Sequence, residues 1–286
     1  MGLLNKSKSG VRRSAYGDFF VFLILCLVAV FMLIPFIYAI VQAFKPMEEI
    51  FAYPPKFFVV NPTIENFYIL SQLTNNMWVP FSRYIVNTAF ISVVGTIITL
   101  IISSMAAFPL AKYPFPGSKI IFKIIILSLL FVGPVTSVPQ YVILAKMGAI
   151  NTYYAVLLPA LASPLGLFLL KNFMTQINDA MIEAAKIDGA NILTIYYKVV
   201  IPIVRPAILT LVILSFQGFW NNTGSGFIYD EAKKFLPTIL SQIVSSGIAR
   251  VGVGAAASVI MMIPPFVIFI MLQRRVIETM AHAGIK

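Results

Sequence analysis

Six long apolar runs divide this chain, and the polar segments between them hold its lysines and arginines. About 20 consecutive apolar residues in a helix are enough to cross the hydrocarbon core of a bilayer. Of the 286 residues, 59% are hydrophobic and 11% are charged, whereas about a quarter of the residues in a soluble domain are charged. The runs therefore predict an all-α integral membrane protein with six transmembrane helices.

The apolar runs also set the order of the segments. Residues 1–18 form a polar tail, and residues 45–83 form a mixed segment with a short helix predicted at Ile64–Leu73. Residues 84–273 carry five of the spans, and residues 274–286 form a second tail whose two leading arginines end the last span. The six predicted spans are Phe19–Phe44, Tyr84–Ala111, Ile124–Ala145, Tyr154–Leu170, Pro206–Trp220 and Val251–Gln273.

Prolines interrupt several of these spans. Pro134 and Pro139 fall in the third span, Pro159 and Pro164 in the fourth, and residues 264 and 265 of the sixth are both proline. A proline inside a helix removes a backbone hydrogen bond and kinks or breaks the helix. Within a bilayer this is tolerated where neighbouring helices or a water-lined cavity satisfy the freed carbonyl groups. The pattern predicts bent helices packed around a cavity.

The distribution of positive charge predicts the topology. With six spans and an N-terminus inside, fourteen of the 21 lysines and arginines lie inside and seven outside. Cytoplasmic loops carry the excess of such residues, so both termini and the loop 178–206 are predicted in the cytoplasm and residues 45–83 outside. Trp78 and Tyr84 are predicted to lie in an aromatic belt at the membrane surface.

The loop 178–206 is the longest polar interruption in the core. Asp179 is predicted to cap a short helix, and Gly189 is predicted to end that helix in the left-handed conformation. Glu183 and Lys186 are three residues apart and can form a weak ion pair. A second helical run is predicted at 192–200, before prolines at 202 and 206 turn the chain into the next span. One flank of the short helix carries Met181, Ala184 and Ala185.

The residues of this loop resemble a known motif. The order Glu183-Ala184-Ala185, then Asp188-Gly189-Ala190, then Ile201-Pro202 resembles the EAA loop of the permease subunits of ABC importers, with Asn178 where proline is common in that family. The patterns AFKPMEEIF and NPTIENF in the segment 45–83, and the C-terminal HAGIK, resemble carbohydrate importers in particular. The resemblance covers nearly the whole chain.

The resemblance implies the type I ABC importer permease fold, with the short helix as a cytoplasmic coupling helix. It implies a second homologous permease subunit, two ATPase subunits that bind ATP and Mg²⁺, and an extracellular solute-binding protein as partners. This chain itself is then expected to bind no cofactor and to contact membrane lipid but no nucleic acid. The coupling residues implied by the motif are Glu183, Ala184, Ala185, Lys186, Asp188, Gly189 and Ala190.

A substrate path is predicted from aromatic and amide side chains at the end of the fifth span and in the third span. Sugars present an apolar ring face and many hydroxyl groups, so aromatic rings and amides suit them, and few convergent polar groups are typical of a ligand pocket. The end of the fifth span supplies Gln217, Trp220 and Asn221, and the third span supplies Gln140 beside its prolines. An interfacial aromatic anchor remains the alternative for the cluster at 217–222.

The sequence offers no catalytic constellation and no metal ligand set. Cys26 lies in the first span, and His282, the single histidine, lies near the C-terminus. The cores of the six predicted spans contain no ionisable residue, which argues against a proton-coupled carrier and an ion channel. No phosphate-binding glycine loop is present. Energy for transport is therefore expected from another chain.

Three alternatives stay open at this point. An ABC permease for another solute class is compatible with the loop, because amino-acid and metal permeases share it. A Na⁺-coupled carrier with broken helices can coordinate its ion through unwound backbone, although the two halves of the chain show no internal similarity. A membrane scaffold or assembly factor has no need of proline pairs in successive spans.

Overall fold

The computed structural model describes residues 15–131, 133–224, 226–245, 247 and 250–283. The described residues form helices joined by turns, and none of them forms a strand. The helices are α1 Ala15–Ala43, α2 Met47–Ile50, α3 Glu65–Asn75, α4 Phe81–Lys112, α5 Ser118–Ser128, α6 Gly133–Lys146, α7 Tyr154–Leu161, α8 Pro164–Thr175, α9 Asp179–Ile187, α10 Ile192–Ile195, α11 Ile201–Ile203, α12 Arg205–Trp220, α13 Leu236–Ser245 and α14 Val251–Ala283. A π-helix, Tyr196–Val200, joins α10 to α11.

Four stretches of the described chain are long and apolar enough to cross a membrane. A fifth is counted if the run Ile192–Ile203 and α12, which meet at an angle of 78°, are taken as one bent span. The predicted third span is two shorter helices, α5 and α6, so the count of six remains a prediction. The four stretches are Tyr16–Ala43, Phe81–Lys112, Tyr154–Thr175 and Val251–Arg274.

The breaks follow the prolines. α6 begins at Gly133, which places Pro134 in the first turn, where the missing proline N–H has no helical partner to lose. In the same way Pro164 begins α8, and the Ser163 hydroxyl caps that helix by accepting a 3.1 Å hydrogen bond from the Gly166 amide. Pro134 and Pro164 therefore start new helices within the third and fourth predicted spans, whereas Pro139 and Pro159 lie inside α6 and α7.

Helix α4 is the centre of the bundle, because α8 and α12 both pack along it and α14 packs on α12. Its two ends contribute to two separate apolar clusters. The N-end cluster includes Tyr84, Trp220, Leu236 and Ile239, and the C-end cluster includes Phe108, Leu170, Ile182, Ile195 and Val200. The segment 45–83, predicted outside the membrane, thus contributes to the N-end cluster, and the polar loop 178–206 contributes to the C-end cluster.

The sixth span ends where the sequence predicts, because its apolar stretch is Val251–Arg274. The helix itself continues past Arg274 to Ala283, since arginine is a good helix former and ends an apolar run without ending a helix. One prediction is corrected. Tyr84 does not lie in a surface belt. It is 1% exposed in the N-end cluster, whereas Trp78 is 96% exposed.

The mixed segment after α1 packs in the N-end cluster, and one side-chain amide also ties its helix α3 to the end of α1. The Asn66 side chain on α3 donates hydrogen bonds to the Ala43 and Lys45 carbonyl oxygens, at 3.0 and 2.7 Å.

The predicted helix Ile64–Leu73 is confirmed as α3, and α13 is a helix that was not predicted from the sequence. The predicted tails at 1–18 and 274–286 lie partly outside the described residues, which exclude 1–14 and 284–286.

Candidate functional site

Helix α9 is the short helix predicted in the polar loop. Asn178, and not Asp179, is its cap: the Asn178 side-chain oxygen accepts a 3.0 Å hydrogen bond from the Ala180 amide. Asparagine is among the strongest capping residues. The Asn178 cap therefore stabilises the start of the helix.

The C-terminal end of α9 depends on Gly189. Its φ of +81° is in the left-handed region, and a Cβ at this position would meet no heavy atom within 4 Å. Backbone conformation, and not lack of space, therefore requires glycine here. The Gly189 amide donates to the Lys186 carbonyl and the Ala190 amide to the Ala185 carbonyl, each at 3.0 Å, as is usual where a glycine ends a helix.

The two faces of α9 have different surroundings. Ile182 is the buried residue of the helix and lies in the C-end cluster, against which Ala185 and Ala190 also pack. On the opposite side the chain exposes Glu183, Ala184 and Ile187, and Ile187 is 86% exposed. Ile187 was not among the residues predicted for this site from the sequence. Its spacing of four residues from Glu183 and three from Ala184 places it on their face, and that spacing was the available signal.

Two residues hold α9 in place: Lys112, the last residue of α4, and Tyr113, which directly follows it. The Lys186 ammonium lies 4.8 Å from the centroid of the Tyr113 ring, a cation–π contact. No ion pair joins Lys186 to Glu183, both within the described residues, so the predicted pair is not formed. Lys112, at the last position of α4, forms an ion pair with Asp179 at 2.6 Å. This pairing explains why Asp179 does not serve as the cap.

The chain returns to the bundle through the π-helix. Asn191 caps α10 by accepting a 2.8 Å hydrogen bond from the Thr194 amide, and the Tyr196 and Ser104 hydroxyl oxygens are 2.7 Å apart. Tyr196 also packs against Phe108, with ring centroids 5.5 Å apart. The predicted second helical run and the turn at the prolines are confirmed.

A cavity of about 750 Å³ lies between α12, α13, α14 and α1. Gln217 and Asn221 line it, together with serines of α13 and α14 and a larger apolar wall. Trp220 is behind this wall. It is 5% exposed, and its indole N–H donates a 3.0 Å hydrogen bond to the Met261 carbonyl oxygen. Gln140, half-buried on α6, is not part of the lining.

A second cavity, of about 250 Å³, lies on the other side of α12 and against α4. The polar residues of its lining are Thr99, Ser163, Ser215 and Asn222. The Thr99 hydroxyl is buried, and it has no hydrogen-bond partner among the described residues. These four residues were not predicted from the sequence, because small polar groups in apolar spans usually bond within their own helix or to a neighbouring one.

The described residues contain no group of three or more histidine, cysteine, aspartate or glutamate side chains that could hold a metal ion. What the chain presents is a rigidly capped helix with an exposed face, attached to a bundle of apolar helices that enclose partly polar cavities.

No protein-family model matches this chain. It is 30% identical over 240 residues to the polygalacturonan/rhamnogalacturonan transport system permease protein YtcP of Bacillus subtilis (strain 168), covering 81% of this chain and 78% of that protein. It is 26% identical over 270 residues to the arabinooligosaccharides transport system permease protein AraQ of Halalkalibacterium halodurans, covering 93% and 94%.

The fold agrees with a solved structure. A crystal structure of a bacterial ABC transporter involved in the import of the acidic polysaccharide alginate aligns with a TM-score of 0.75 at 22% identity, covering 92% of this chain and 98% of that chain. The predicted permease fold and the multi-pass membrane location are thereby confirmed. With the extent and identity of the match to YtcP, the chain belongs to the family of carbohydrate ABC-transporter permeases, which are membrane subunits and not enzymes.

Proposed function

We propose that this chain is a permease subunit of an ABC importer for an oligosaccharide, and that the exposed face of α9 docks into a partner ATPase. The observation that carries the proposal is Ile187, an isoleucine 86% exposed on a helix that is otherwise firmly capped. An apolar side chain surrounded by small and charged residues suits a pocket on another protein. Glu183, Ala184, Lys186 and Asp188 surround it and remain exposed.

The other coupling residues have supporting roles in this proposal. Ala185 and Ala190 pack α9 onto the C-end cluster, and Gly189 sets the direction in which the chain leaves the helix. ATP and Mg²⁺ are bound by the ATPase subunits, which carry out hydrolysis, and this chain binds no cofactor. The complete assembly contains a second homologous permease, two ATPase subunits and an extracellular solute-binding protein, and both termini of this chain are cytoplasmic.

The substrate class is supported by the relatives and by the cavities. The relatives' names specify polygalacturonan, rhamnogalacturonan and arabinooligosaccharides, and the solved structure concerns alginate. Gln217 and Asn221 place amide groups on the wall of the larger cavity, where they can bond to sugar hydroxyls. We assign Gln217 and Asn221 to the path, with Trp220 supporting the wall. Gln140 is kept as a candidate on α6. Binding of the cognate solute-binding protein to a panel of glycans would identify the sugar.

The docking proposal is tested by Ile187→Arg. The arginine places a charge where an apolar pocket is expected, so the ATPase should no longer co-purify with the chain, and ATP-driven uptake into vesicles should fall at least tenfold. Ile64→Arg is the matched control, because Ile64 is 72% exposed on the mixed segment before α3, and it should leave both measurements unchanged. Normal co-purification and uptake with Ile187→Arg would refute the assignment of α9.

The path assignment is tested by Gln217→Leu. Losing one hydrogen bond costs about 1 kcal/mol, which corresponds to roughly a fivefold rise in the KM of transport. Gln72→Leu, on the exposed surface of α3, serves as the control and should leave KM as it is. An unchanged KM in Gln217→Leu would remove this residue from the path.

A further inference from the structure

Lys112 is a lysine with an almost fully covered side chain, and it connects three helices. It is the last residue of α4, and its side chain is 4% exposed. Its ammonium group donates hydrogen bonds to the carbonyl oxygens of Thr175, at 3.3 Å, and of Ile177, and to the Asp179 carboxylate, at 2.6 Å. An ammonium group has three N–H donors, so these three acceptors use all of them.

The three acceptors lie at the end of α8, in the linker that follows it and at the start of α9. Thr175 is the last residue of α8, whose final carbonyl groups have no partner within the helix and carry the negative end of its dipole. Asp179 is the first residue of α9. Burying a charge is costly unless it is paired and hydrogen-bonded. The position of the Lys112 ammonium is therefore fixed by α8 and α9 together.

The next residue along the chain makes a second connection to α9. The Tyr113 ring accepts the Lys186 ammonium on its face and packs edge-on against Phe108, with ring centroids 5.3 Å apart. Asp179 lies in the first turn of α9 and Lys186 in the last. The C-terminal end of α4 thus contacts both ends of the short helix.

The contacts of Asp179 and Lys112 with solvent differ greatly. The Asp179 side chain is 76% exposed, and that of Lys112 is almost completely covered. An exposed ion pair alone contributes little to stability. The Lys112 ammonium is covered and also bonds two backbone carbonyls, so its position depends on α8 and the linker as well as on α9.

We propose that Lys112 is a positioning residue for transport, which makes α9, α8 and α4 move as one body. This inference rests on the proposed function, because it assumes that an ATPase displaces α9. Without Lys112, α9 would still be held by Ile182 and by the Tyr113 contact, but its displacement would no longer be passed fully to α4. Binding of the ATPase would remain, and the response of the bundle would weaken.

The test measures a distance inside the assembled transporter. Spin labels are placed at Met181→Cys on α9 and Ile97→Cys on α4, in a Cys26→Ser background, and the distance distribution is recorded without nucleotide and with ATP and vanadate. In the otherwise unchanged chain the distribution should be narrow and the same in both states. In Lys112→Met, nucleotide should shift or widen it by about 3 Å or more, roughly half of one helical turn. Lys112→Arg, which can donate to the same acceptors, should restore most of the narrow distribution.

Lys45→Met is the matched control. Lys45 is also a buried lysine, 2% exposed, and its ammonium donates to the Lys56 carbonyl oxygen far from α9. It should lower thermal stability and leave the distance distribution unchanged. If Lys112→Met does not assemble, Asp179→Ala removes only the contact to α9 and should widen the distribution in the same direction.

Two results would overturn the proposal. One is a distribution in Lys112→Met or Asp179→Ala that matches the unchanged chain in both states. The other is a change of the distance with nucleotide in the unchanged chain itself. Loss of ATPase co-purification in the Ile187→Arg experiment tests the docking separately, so an assembly that docks normally but shows either result refutes only the role of Lys112.

Discussion

The two ends of α4 are fastened by different chemistry. At the N-terminal end, the Asn87 amide donates to the Ala232 and Lys234 carbonyl oxygens at 2.9 and 3.1 Å, and its oxygen accepts from the Tyr153 hydroxyl at 2.9 Å. At the C-terminal end, one ammonium holds two carbonyls and an exposed carboxylate. Neutral bonds at one end hold a loop against α4, whereas the charged end connects α4 to the exposed helix α9, for which we propose docking on an ATPase.

The largest loss of stability is expected at the N-terminal end. Asn87→Leu removes three hydrogen bonds and leaves two carbonyls without their donor, so it should destabilise the protein by about 3 kcal/mol. Asn75→Leu, at an exposed position of α3, should change stability by less than about 0.5 kcal/mol. Denaturant titration in mixed micelles measures both. A small effect at Asn87 would mean that the N-terminal end is held by packing alone.

The middle of α4 should respond next most strongly. A Cβ at Gly95 would lie 2.6 Å from the Phe219 ring of α12, and overpacking of this kind costs about 1–3 kcal/mol. Gly218→Ala is the matched control, because a Cβ there meets nothing within 4 Å. The melting temperature should fall for Gly95→Ala and stay level or rise for Gly218→Ala. Equal melting temperatures would contradict the close approach of α4 to α12.

A smaller and local effect is expected at the C-terminal end. Asn178→Ala removes the cap of α9, which costs about 1 kcal/mol, or roughly fivefold faster hydrogen exchange of the first amides of that helix. Asn191→Ala removes the cap of α10 instead and should leave exchange in α9 unchanged. Faster exchange throughout the bundle in Asn178→Ala would show that α9 does not open by itself.

The smallest effect concerns pH at the loop that Asn87 holds. The Ala232 amide, and then Lys233, lower the pKa of Asp230 below its usual value of 3.8. A lowered pKa means that the stabilisation is present above the unfolded pKa and is lost as pH falls through the folded one. The melting temperature should therefore drop slightly more below pH 3.8 in the unchanged chain than in Asp230→Asn. Identical pH profiles would exclude this contribution.

The sequence predicts the parts of the site that depend on local chemistry. The short helix, its glycine end and the return through two prolines all follow from neighbouring residues, and α3 was found in the same way. The choice between Asn178 and Asp179 as the cap was not predictable, because Asp179 is drawn to Lys112, a residue 67 positions away. The predicted Glu183–Lys186 pair failed for the same reason. Lys186 instead contacts the ring of Tyr113, which is distant in the sequence.

Other differences had a signal that was present in the sequence. Leu236, Ile239, Leu240 and Ile243 follow the spacing of an amphipathic helix, and they are the buried residues of α13. The extension of α14 through two arginines follows from helix propensity. Which side of α12 faces which cavity depends on the packing of α4, α13 and α14 around it, and one sequence contains no measure of that packing.

Photo-cross-linking from position 187 in native membranes tests the docking of α9 on an ATPase. With benzoylphenylalanine in place of Ile187, we predict one adduct with an ATP-binding subunit, lost when the same group is placed at Ile64. Adducts with lipid alone, or an ATPase adduct of equal yield from position 64, would contradict the assignment.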